Sequence, residues 1–520
     1  MNGSSPGCRA EKIRELLGRE LTGWRRNAVA YVLGALMTLT LAPIFAFPLI
    51  IPSFTGLYWL VDSASTKRRR FLDGWWWGWG FHMTGLSWIC VALLTDPEAF
   101  AWLIPFALFG LTGAIAIFAG IAAWLMSWIR VSGLPRLVAF SSIWMVVEYT
   151  RGHIFTGFPW NLPGYSFGFS LASLQAASLV GIYGLTGFTV LLGSSFAASK
   201  MPGGRRYILM LWALFAAVVA WGQWRQSGVE TTYVDGVMLR LVQANIPQTH
   251  KWDPHLQMQN IRDHIHLTQS PGLEKITHVI WPESAVPFVI ESGNEIAHIL
   301  GNTIPNGTLL ITGALRSEGD KEHFRVWNSL AAVDHDGTLM GSYDKIHLVP
   351  FGEFQPLRPF VPKEWMTPVG DTDFSSGNLA RTLTWPGLPP MIPLICYEAI
   401  FPEMSFGSDE RPQMLLTITD DAWFGKSLAP YQHFHMARMR AVEQGVPLVR
   451  DAVTGITAVV DAYGRITAMF PLGEMGVLDA RLPKPLPTST IYAKYGDIMV
   501  LLGLIAAVSL VPMRKRKKNP

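Results

Sequence analysis

The sequence predicts an α-helical membrane bundle of about eight spans that carries a separate α/β domain. Half of the 520 residues are hydrophobic and only 15% are charged, whereas soluble domains carry roughly 25% charged residues. The long apolar segments are confined to the regions before residue 230 and after residue 490. The region between them alternates short apolar runs with polar segments, which is typical of a soluble α/β domain.

Apolar segments define the bundle. Most of them approach the roughly 20 residues that cross a bilayer as a helix. The two shortest, 48–64 and 135–150, are bounded by proline or by charged residues. The predicted cores of the spans are 28–46, 48–64, 72–95, 101–129, 135–150, 167–196, 206–223 and 494–512.

Clusters of Lys and Arg predict the orientation. They lie in 9–26, 67–70, 130–136, 200–206 and 514–518. With eight spans and a cytoplasmic N-terminal segment, all five clusters fall on the cytoplasmic side, as the positive-inside rule requires. One span more or fewer would place some clusters on the wrong side. The predicted parts are a cytoplasmic segment 1–27, a seven-span domain 28–224, an extracytoplasmic domain 225–490, a transmembrane helix 491–513 and a basic cytoplasmic tail 514–520.

Segment 225–490 is predicted to form one layered α/β domain. Short apolar runs rich in β-branched residues predict strands, and helical periodicity predicts helices between some of them. The predicted strands are 237–246, 278–281, 308–313, 329–333, 391–396, 414–419, 447–450 and 456–460, and the predicted helices are 255–269, 294–303 and 431–444.

Glu283 is the first candidate catalytic residue. It follows the apolar run 278–281, and its neighbours Trp281 and Pro282 leave a carboxylate there poorly solvated. Burial raises the pKa of a carboxyl group towards the range that suits a general base, so we expect a raised pKa for Glu283. The alternative is a solvated carboxylate at a strand end.

Lys345 and Glu353 belong to a second segment, 343–353. A fixed ammonium group at Lys345 would stabilise a developing oxyanion. Glu353 would pair with Lys345 or orient the base. A single lysine is more often a solvated surface group, but the apolar residues between Lys345 and Glu353 fit that alternative less well.

Cys396 ends a third apolar run, 391–396, where a turn begins. A thiol in that position is placed for attack if a base or a positive charge lies close, because the thiolate is the nucleophile. The alternative is a buried structural cysteine, which is the commoner role of a free thiol. Glu283 and Lys345 would satisfy both needs if the fold brings them to Cys396.

Metal and cofactor sites are not predicted. Cys8, Cys90 and Cys396 are too widely spaced for a disulfide framework or a zinc site. His433 and His435 lie two residues apart on the predicted helix 431–444, so they point to different faces. We interpret both as structural or surface groups. We therefore expect no metal and no cofactor.

The three segments, in this order, resemble the Glu-Lys-Cys triad of the nitrilase, or carbon-nitrogen hydrolase, superfamily. Together with the membrane part, the chain is similar to the bacterial apolipoprotein N-acyltransferase family from about residue 30 to its end. The motifs that carry this resemblance are Gly85-Leu86-Ser87-Trp88, Gly157-Phe158-Pro159-Trp160-Asn161, Gln243-Ala244-Asn245-Ile246-Pro247-Gln248, Trp281-Pro282-Glu283, Asp344-Lys345, Pro350-Phe351-Gly352-Glu353, Cys396-Tyr397-Glu398 and Asp421-Ala422-Trp423-Phe424-Gly425.

The resemblance implies a nitrilase-like α-β-β-α sandwich for the soluble domain and a role for each triad residue. Glu283 would be the general base, Lys345 would stabilise the tetrahedral intermediate, and Cys396 would carry the acyl group. Two positions depart from the family pattern, namely Asp420, where asparagine is common, and the turn 452–455. The implied supporting and substrate-binding residues are Glu353, Tyr397, Glu398, Asn328, Trp252 and Trp423, the two tryptophans lining the acyl or substrate entrance.

The resemblance also implies the reaction and the partners. A fatty acyl chain would pass from a membrane phospholipid, through a Cys396 thioester, to the α-amino group of the N-terminal diacylglyceryl-cysteine of lipoproteins. The protein would be a monomer in the bacterial inner membrane, with the catalytic domain in the periplasm and no nucleic acid partner. Apolar residues of segment 350–365 would form a mobile arm that dips into lipid, or else domain core: Phe351, Phe354, Leu357, Phe360 and Trp365.

Two alternatives stay open at this point. A membrane-tethered amidase or nitrilase would use the same triad with water as the second nucleophile, although a soluble amide needs neither the bundle nor an apolar arm. A transporter or scaffold with a degenerate outer domain would not need intact Glu283, Lys345 and Cys396, and would be expected to show interrupted spans and internal symmetry.

Overall fold

The computed structural model describes residues 21–320, 324–356, 373–378, 382–407 and 410–510. These residues form two compact units. The first contains the described residues up to Leu93, then Glu98–Ser227 and the chain from Tyr495 onwards. The second contains Leu94–Pro97 and Gly228–Lys494.

The first unit is helical, and most of its helices coincide with predicted spans. The first helix ends at Thr38, and residues 39–46 form turns rather than the end of a span. The helices before the second unit are α1 (Gly23–Thr38), α2 (Ile50–Ser63), α3 (Lys67–Gly85), α4 (Ile89–Leu93), α5 (Pro97–Phe100), α6 (Thr112–Leu125), α7 (Leu134–His153), α8 (Leu171–Leu174), α9 (Ala177–Ser194) and α10 (Gly204–Gln226).

Within the described ranges, three helical runs are long and apolar enough to cross a membrane: Pro97–Leu125, Ala177–Lys200 and Gly204–Gln226. The remaining predicted spans coincide with shorter or more polar helices. For example, α1 and α2 have 16 and 14 residues, and α3 begins with the basic run 67–70. The count of eight spans therefore stays a prediction.

Buried ion pairs join segments of the helical unit. Arg26 Nη2 lies 2.9 Å from Asp73 Oδ2, which ties α1 to α3. Arg151 Nη2 lies 2.5 Å from Glu148 Oε2, one turn away in α7. Arg151 also donates to the carbonyl oxygen of Trp160 at 3.1 Å, in the irregular segment that follows α7. A charge in an apolar helical bundle requires such partners.

The second unit contains two β-sheets within the part of the chain that is described. The strands are β1 (Tyr233–Gln243), β2 (His278–Ile280), β3 (Val286–Val289), β4 (Leu309–Glu318), β5 (Arg325–Val333), β6 (Leu339–Asp344), β7 (Met391–Ile395), β8 (Met414–Thr419), β9 (Leu448–Ala452), β10 (Thr457–Val460), β11 (Ile466–Phe470) and β12 (Gly476–Pro483). The seven-stranded sheet has the order β12-β1-β2-β4-β5-β6, with β3 paired to β4. The five-stranded sheet has the order β11-β10-β9-β8-β7.

Apolar runs in the sequence become the central strands. Every residue of β7, β8 and β9 is buried, and these strands pair in parallel. Parallel strands covered on both faces read as continuous apolar runs. Each of the predicted strands 391–396, 414–419 and 447–450 therefore overlaps an observed strand.

Helices cover the outer faces of the two sheets. The core between the sheets joins Leu241 and Ile311 of the first sheet to Leu416 of the second. The other face of the first sheet packs against helices that include Ile261 and Leu300. On the second sheet, the covering helix is Ala429–Gln444. The layers are thus α-β-β-α, as the resemblance implies. The helices from here to the end are α11 (Gln248–Lys251), α12 (Gln257–Thr268), α13 (Glu295–Gly301), α14 (Ala429–Gln444), α15 (Ile491–Tyr495) and, in the first unit, α16 (Ile498–Ser509).

Candidate active site

The three predicted triad residues follow the ends of three strands. Glu283 comes three residues after β2, Lys345 directly follows β6, and Cys396 directly follows β7. β2 and β6 belong to the first sheet, whereas β7 belongs to the second. Because the sheets face each other, the loops at their ends converge, and the three side chains meet although up to 113 positions separate them in sequence.

Lys345 is buried between two carboxylates. Its Nζ lies 2.8 Å from Glu353 Oε1 and 3.3 Å from Glu283 Oε1. The side-chain amide of Asn328 donates to the same two oxygen atoms, at 3.0 Å and 2.8 Å. Glu353 is further held by the Val349 N–H, which donates to its Oε2 at 2.8 Å. One ammonium and one amide thus fix both carboxylates.

Glu283 is oriented towards the thiol. Its Oε1 accepts from Lys345 and Asn328, and its Oε2 accepts from the backbone N–H of Asp420 at 2.8 Å. The carboxylate also hydrogen-bonds the side chain of Cys396. It can therefore take the thiol proton without a change of position.

The expected raised pKa of Glu283 is wrong. Burial does act to raise it, but the positive charges of Lys345 and Lys251 and the Asn328 hydrogen bond outweigh burial, so the pKa is lowered. Burial also acts to lower the pKa of Lys345, and the carboxylates of Glu283 and Glu353 reverse that, so the pKa is raised. Glu283 and Lys345, the predicted base and stabiliser, are therefore both charged at neutral pH.

The Cys396 thiol keeps its proton in the resting site. Burial raises its pKa, the negative charge of Glu283 raises it further, and Lys345 opposes both only in part. The residue has a positive φ of 49° and begins the 3₁₀ turn Cys396–Ile400. A non-glycine residue in that region is strained, which is common at functional sites. The thiol thus lies on a sharp turn beside the Glu283 carboxylate.

Glu398 joins the two loops that carry Lys345 and Cys396. Its carboxylate accepts hydrogen bonds from the backbone N–H groups of Ile395 at 2.7 Å, Ile346 at 2.7 Å and His347 at 3.1 Å. The Tyr343 hydroxyl donates to it at 3.1 Å. Burial raises the pKa of Glu398 to about 7, although the three backbone donors oppose this. The supporting role predicted for Glu398 thus has a specific geometry, which we call the Glu398 clasp.

The other supporting residues lie around this centre. Tyr397 is buried, and its ring packs on Phe401 with the ring centroids 5.0 Å apart. Trp252 directly follows α11, Trp423 lies in the 3₁₀ turn Asp421–Phe424, and both are half-buried. Their predicted contact with an acyl chain stays a prediction.

The predicted arm is described only in part. Phe351 is 63% exposed, whereas Phe354 packs against a buried cluster of the domain. The predicted arm residues Leu357, Phe360 and Trp365 lie outside the described residues.

A second buried lysine was not predicted. Lys251 Nζ lies 2.6 Å from Asp420 Oδ2 and 2.8 Å from the carbonyl oxygen of Glu283. All three residues are buried. In the sequence, Lys251 stands in a polar stretch and resembles a surface lysine, and its one signal is its place next to Trp252. Asp420, noted only as a departure from the family pattern, supplies the counter-charge of Lys251 and a backbone donor to Glu283.

His433 also lies closer to the nucleophile than spacing indicated. It is buried, so a surface role is wrong for it. Its Nε2 lies 3.0 Å from the carbonyl oxygen of Cys396 and its Nδ1 2.9 Å from Asp421 Oδ1. His435 is buried as well. The contact could not be predicted because His433 and Cys396 are 37 residues apart in sequence.

No metal site accompanies these groups in the described part of the chain. There, no set of three or more His, Cys, Asp or Glu side chains is arranged to hold an ion.

Comparison with known proteins identifies families for both units. Residues 33–195 match the apolipoprotein N-acyltransferase N-terminal domain, and residues 238–492 match the carbon-nitrogen hydrolase family. Among solved structures, Nit3 of Saccharomyces cerevisiae is 18% identical with a TM-score of 0.38 and covers 55% of this chain and all of its own. An amidase from Nesterenkonia sp. is 18% identical with a TM-score of 0.36 and covers 54% of this chain and all of its own.

Full-length relatives give the more specific assignment. The apolipoprotein N-acyltransferase of Bradyrhizobium diazoefficiens is 40% identical over 96% of this chain and 97% of its own. That of Rhodopseudomonas palustris is 38% identical over 95% and 96%, and that of Brucella melitensis 35% identical over 97% and 99%. With both domain families matched in order, this chain belongs to the apolipoprotein N-acyltransferase family.

Proposed function

We propose that this protein transfers a fatty acyl chain from a membrane phospholipid to the α-amino group of the N-terminal diacylglyceryl-cysteine of lipoproteins. The observation that carries this proposal is the contact of Glu283 with both Lys345 and Cys396 in a buried site, in a chain of this family. The acyl group would be held between the two half-reactions as a thioester on Cys396.

In the first half-reaction, the Cys396 sulfur attacks the carbonyl carbon of a phospholipid ester. Glu283 accepts the thiol proton, since its carboxylate is ionised and hydrogen-bonded to the thiol. The C–O bond of the tetrahedral intermediate then breaks, and Glu283 returns the proton to the leaving alkoxide. A lysophospholipid departs, and the thioester remains.

Lys345 stabilises the negative charge of the intermediate. Its ammonium group is fixed by Glu283 and Glu353 before substrate arrives, so little reorganisation is needed as the charge develops. A preorganised donor of this kind accounts for roughly a 10²- to 10³-fold rate effect.

In the second half-reaction, the free amine of the lipoprotein attacks the thioester carbonyl carbon. Glu283 accepts a proton from the amine and passes it to the departing Cys396 sulfur. An amide forms, the C–S bond breaks, and the thiol is regenerated with no net change in the enzyme.

We also propose an inner-membrane topology with about eight spans, in which the domain 225–490 lies on the periplasmic side and the protein is a monomer. The five basic clusters support this orientation, and three helices of sufficient length and apolarity support membrane insertion. Reporter fusions after residues 226 and 490 would test it. With a reporter enzyme that is active only outside the cytoplasm, both fusions should show activity. Activity of a cytoplasmic reporter at either position would refute the orientation.

The thioester provides the decisive test of function. Purified protein is incubated with phospholipid alone, and its intact mass is measured. We expect one acyl adduct, located on Cys396 by peptide mapping and absent in Cys396→Ser. The matched control is Cys90→Ser, which removes a half-buried cysteine outside the site and should leave the adduct unchanged.

The same experiment separates the amidase alternative. A membrane-tethered amidase would form no lasting adduct from phospholipid but would hydrolyse small amides. Protein that turns over such amides and stays free of acyl groups would contradict the proposed function. Addition of a diacylglyceryl peptide with a free amine should discharge the adduct and yield a triacylated peptide.

A further inference from the structure

A second polar network contacts Cys396, and the two half-reactions above make no use of it. It consists of Thr419, Asp421, His433 and Arg450, and we call it the Asp421 network. All four side chains are buried, at 0–1% exposure. Thr419 ends β8, Arg450 lies in β9, and His433 lies in α14, so three separate elements converge on one carboxylate.

Asp421 is the centre of this network. Its Oδ1 lies 2.9 Å from His433 Nδ1, and its Oδ2 accepts from Arg450 Nη2 at 2.7 Å. Burial acts to raise the pKa of Asp421, but the charges of Arg450 and His433 outweigh it and lower the pKa to about 2. The carboxylate is therefore ionised and acts only as an acceptor.

His433 connects this carboxylate to the backbone of the nucleophile. Its Nε2 lies 3.0 Å from the Cys396 carbonyl oxygen. Since a carbonyl oxygen can only accept, Nε2 donates. This bond engages the residue whose φ of 49° is strained, and such strain persists only where the surroundings fix it.

Thr419 connects the same carboxylate to the reacting sulfur. Its Oγ1 lies 3.1 Å from Asp421 Oδ1. Ile418 pairs with Ile395 across the parallel strands β8 and β7, so Thr419 and Cys396 follow at adjacent positions. The Thr419 hydroxyl acts to lower the pKa of the Cys396 thiol, as a hydrogen-bond donor to the sulfur does. A hydroxyl has a single hydrogen, so it cannot donate to both partners at once. While the thiol keeps its proton for Glu283, the better acceptor is the Asp421 carboxylate. Once the proton has moved to Glu283, the sulfur is an anion and competes for the hydrogen.

We propose that the Thr419 hydroxyl is a rotating donor, which turns from Asp421 Oδ1 to Cys396 Sγ as the thiol loses its proton. The Thr419 hydroxyl would thus stabilise the thiolate at the moment of attack, against the negative charge of Asp421, which acts to raise the pKa of the thiol. The rotation leaves no carboxylate unpaired, because His433 and Arg450 still contact Asp421. This inference rests on the proposed role of Cys396 as nucleophile and adds a positioning residue that acts on the sulfur.

The test measures the thiolate without acyl transfer. The full-length protein is alkylated with iodoacetamide across a pH series, and the reaction of Cys396 is followed by peptide mass. In Thr419→Val, which removes the hydroxyl and keeps the shape, we expect alkylation at a given pH to slow about tenfold, as the loss of one hydrogen bond to a charged group predicts. The pH profile should shift upwards, and Thr419→Ser should restore both rate and profile.

A matched control removes a buried threonine hydroxyl elsewhere. Thr303 donates to the Ile299 carbonyl oxygen next to α13, and Thr303→Val should leave the alkylation profile unchanged. Thr419→Ala, which relieves any crowding by the valine methyl group, should behave as Thr419→Val does. The proposal would be overturned if Thr419→Val, Thr419→Ala and Thr419→Ser were all alkylated at the wild-type rate.

Acyl transfer gives an independent readout. If the proposed function is correct, Thr419→Val should lower kcat of thioester formation by a similar factor with KM unchanged, because the hydroxyl contacts the sulfur rather than the lipid. If phospholipid gives no adduct on the wild-type protein, the proposed function fails, while the alkylation profiles still decide the role of Thr419.

Discussion

Buried charges are used differently in the two units of this protein. In the helical unit they form ion pairs that hold segments together. Arg26 pairs with Asp73 of another helix, and Arg151 pairs with Glu148 while it donates to the Trp160 carbonyl oxygen. In the second unit, Glu283 and Lys345 lie beside an uncharged thiol and contact each other. The first arrangement stabilises a structure, whereas the second, in the proposed mechanism, lowers the free energy of a charge that exists only during reaction. A buried ion pair alone therefore does not identify a candidate active site. A buried ion pair that lies beside a reactive atom does.

The largest effect should follow from Lys345→Met. The rate of thioester formation should fall by roughly 10²- to 10³-fold, because the developing oxyanion loses its fixed positive charge. Two buried carboxylates, Glu283 and Glu353, would lose their counter-charge, and the free energy of unfolding should fall by about 3 kcal/mol or more. Rapid-quench mass spectrometry and thermal unfolding measure these effects. The half-exposed Lys484 gives a control, and Lys484→Met with the same loss would refute the assignment.

Arg151→Met should affect stability instead of chemistry. It strands Glu148 inside the bundle, so we expect a loss of about 3 kcal/mol in the free energy of unfolding and a smaller yield of folded protein. The fraction that folds should form the thioester at a rate within twofold of wild type. A rate of thioester formation reduced as much as in Lys345→Met would contradict the distinction between the buried charges of the two units.

Glu398→Gln should have an intermediate effect. The amide keeps one acceptor oxygen but presents a donor to the Ile395 N–H, so the Glu398 clasp opens on one side. Loss of a charged acceptor predicts a rate lowered by about tenfold or more. Because the pKa of Glu398 is raised to about 7, the wild-type rate should rise as pH increases through 7 and the carboxylate ionises. The pH–rate profile of the variant should lack this rise near pH 7. A rise that persists in the variant would show that another group titrates there.

The smallest effect should come from Asp420→Asn. Lys251 loses its counter-charge, and its positive charge then acts on Glu283 more strongly, so the already lowered pKa of Glu283 should fall further. Glu283 must be ionised to act as base, so activity is lost as pH falls through its pKa, and this acid limb should move to lower pH. We expect a displacement of about one pH unit or less. A pH–rate profile of thioester formation measures it, and a displacement to higher pH would contradict the account.

The sequence predicted the strands that precede Glu283 and Cys396, since both lie in largely apolar runs. It did not predict β6, which precedes Lys345 and contains one buried residue, Tyr343. The sequence did not predict β11, in which every residue is half-buried or exposed, since no apolar pattern marks that edge strand. The electrostatics of the site depend on contacts between residues that are far apart in sequence. The pKa of Glu283 was misjudged because Trp281 and Pro282 are neighbours in sequence, whereas Lys251 and Lys345 are 32 and 62 residues away.

The proton on the resting Cys396 thiol has a consequence for the life of the protein. Oxidants attack thiolates, and thiols that keep their proton react slowly. A nucleophile that becomes an anion only with a substrate carbonyl beside it is protected from peroxide and from mixed disulfides between turnovers. In the proposed periplasmic location, the protein would need no dedicated reducing partner, and inhibitors of the proposed reaction should be designed as carbonyl electrophiles rather than as general thiol reagents.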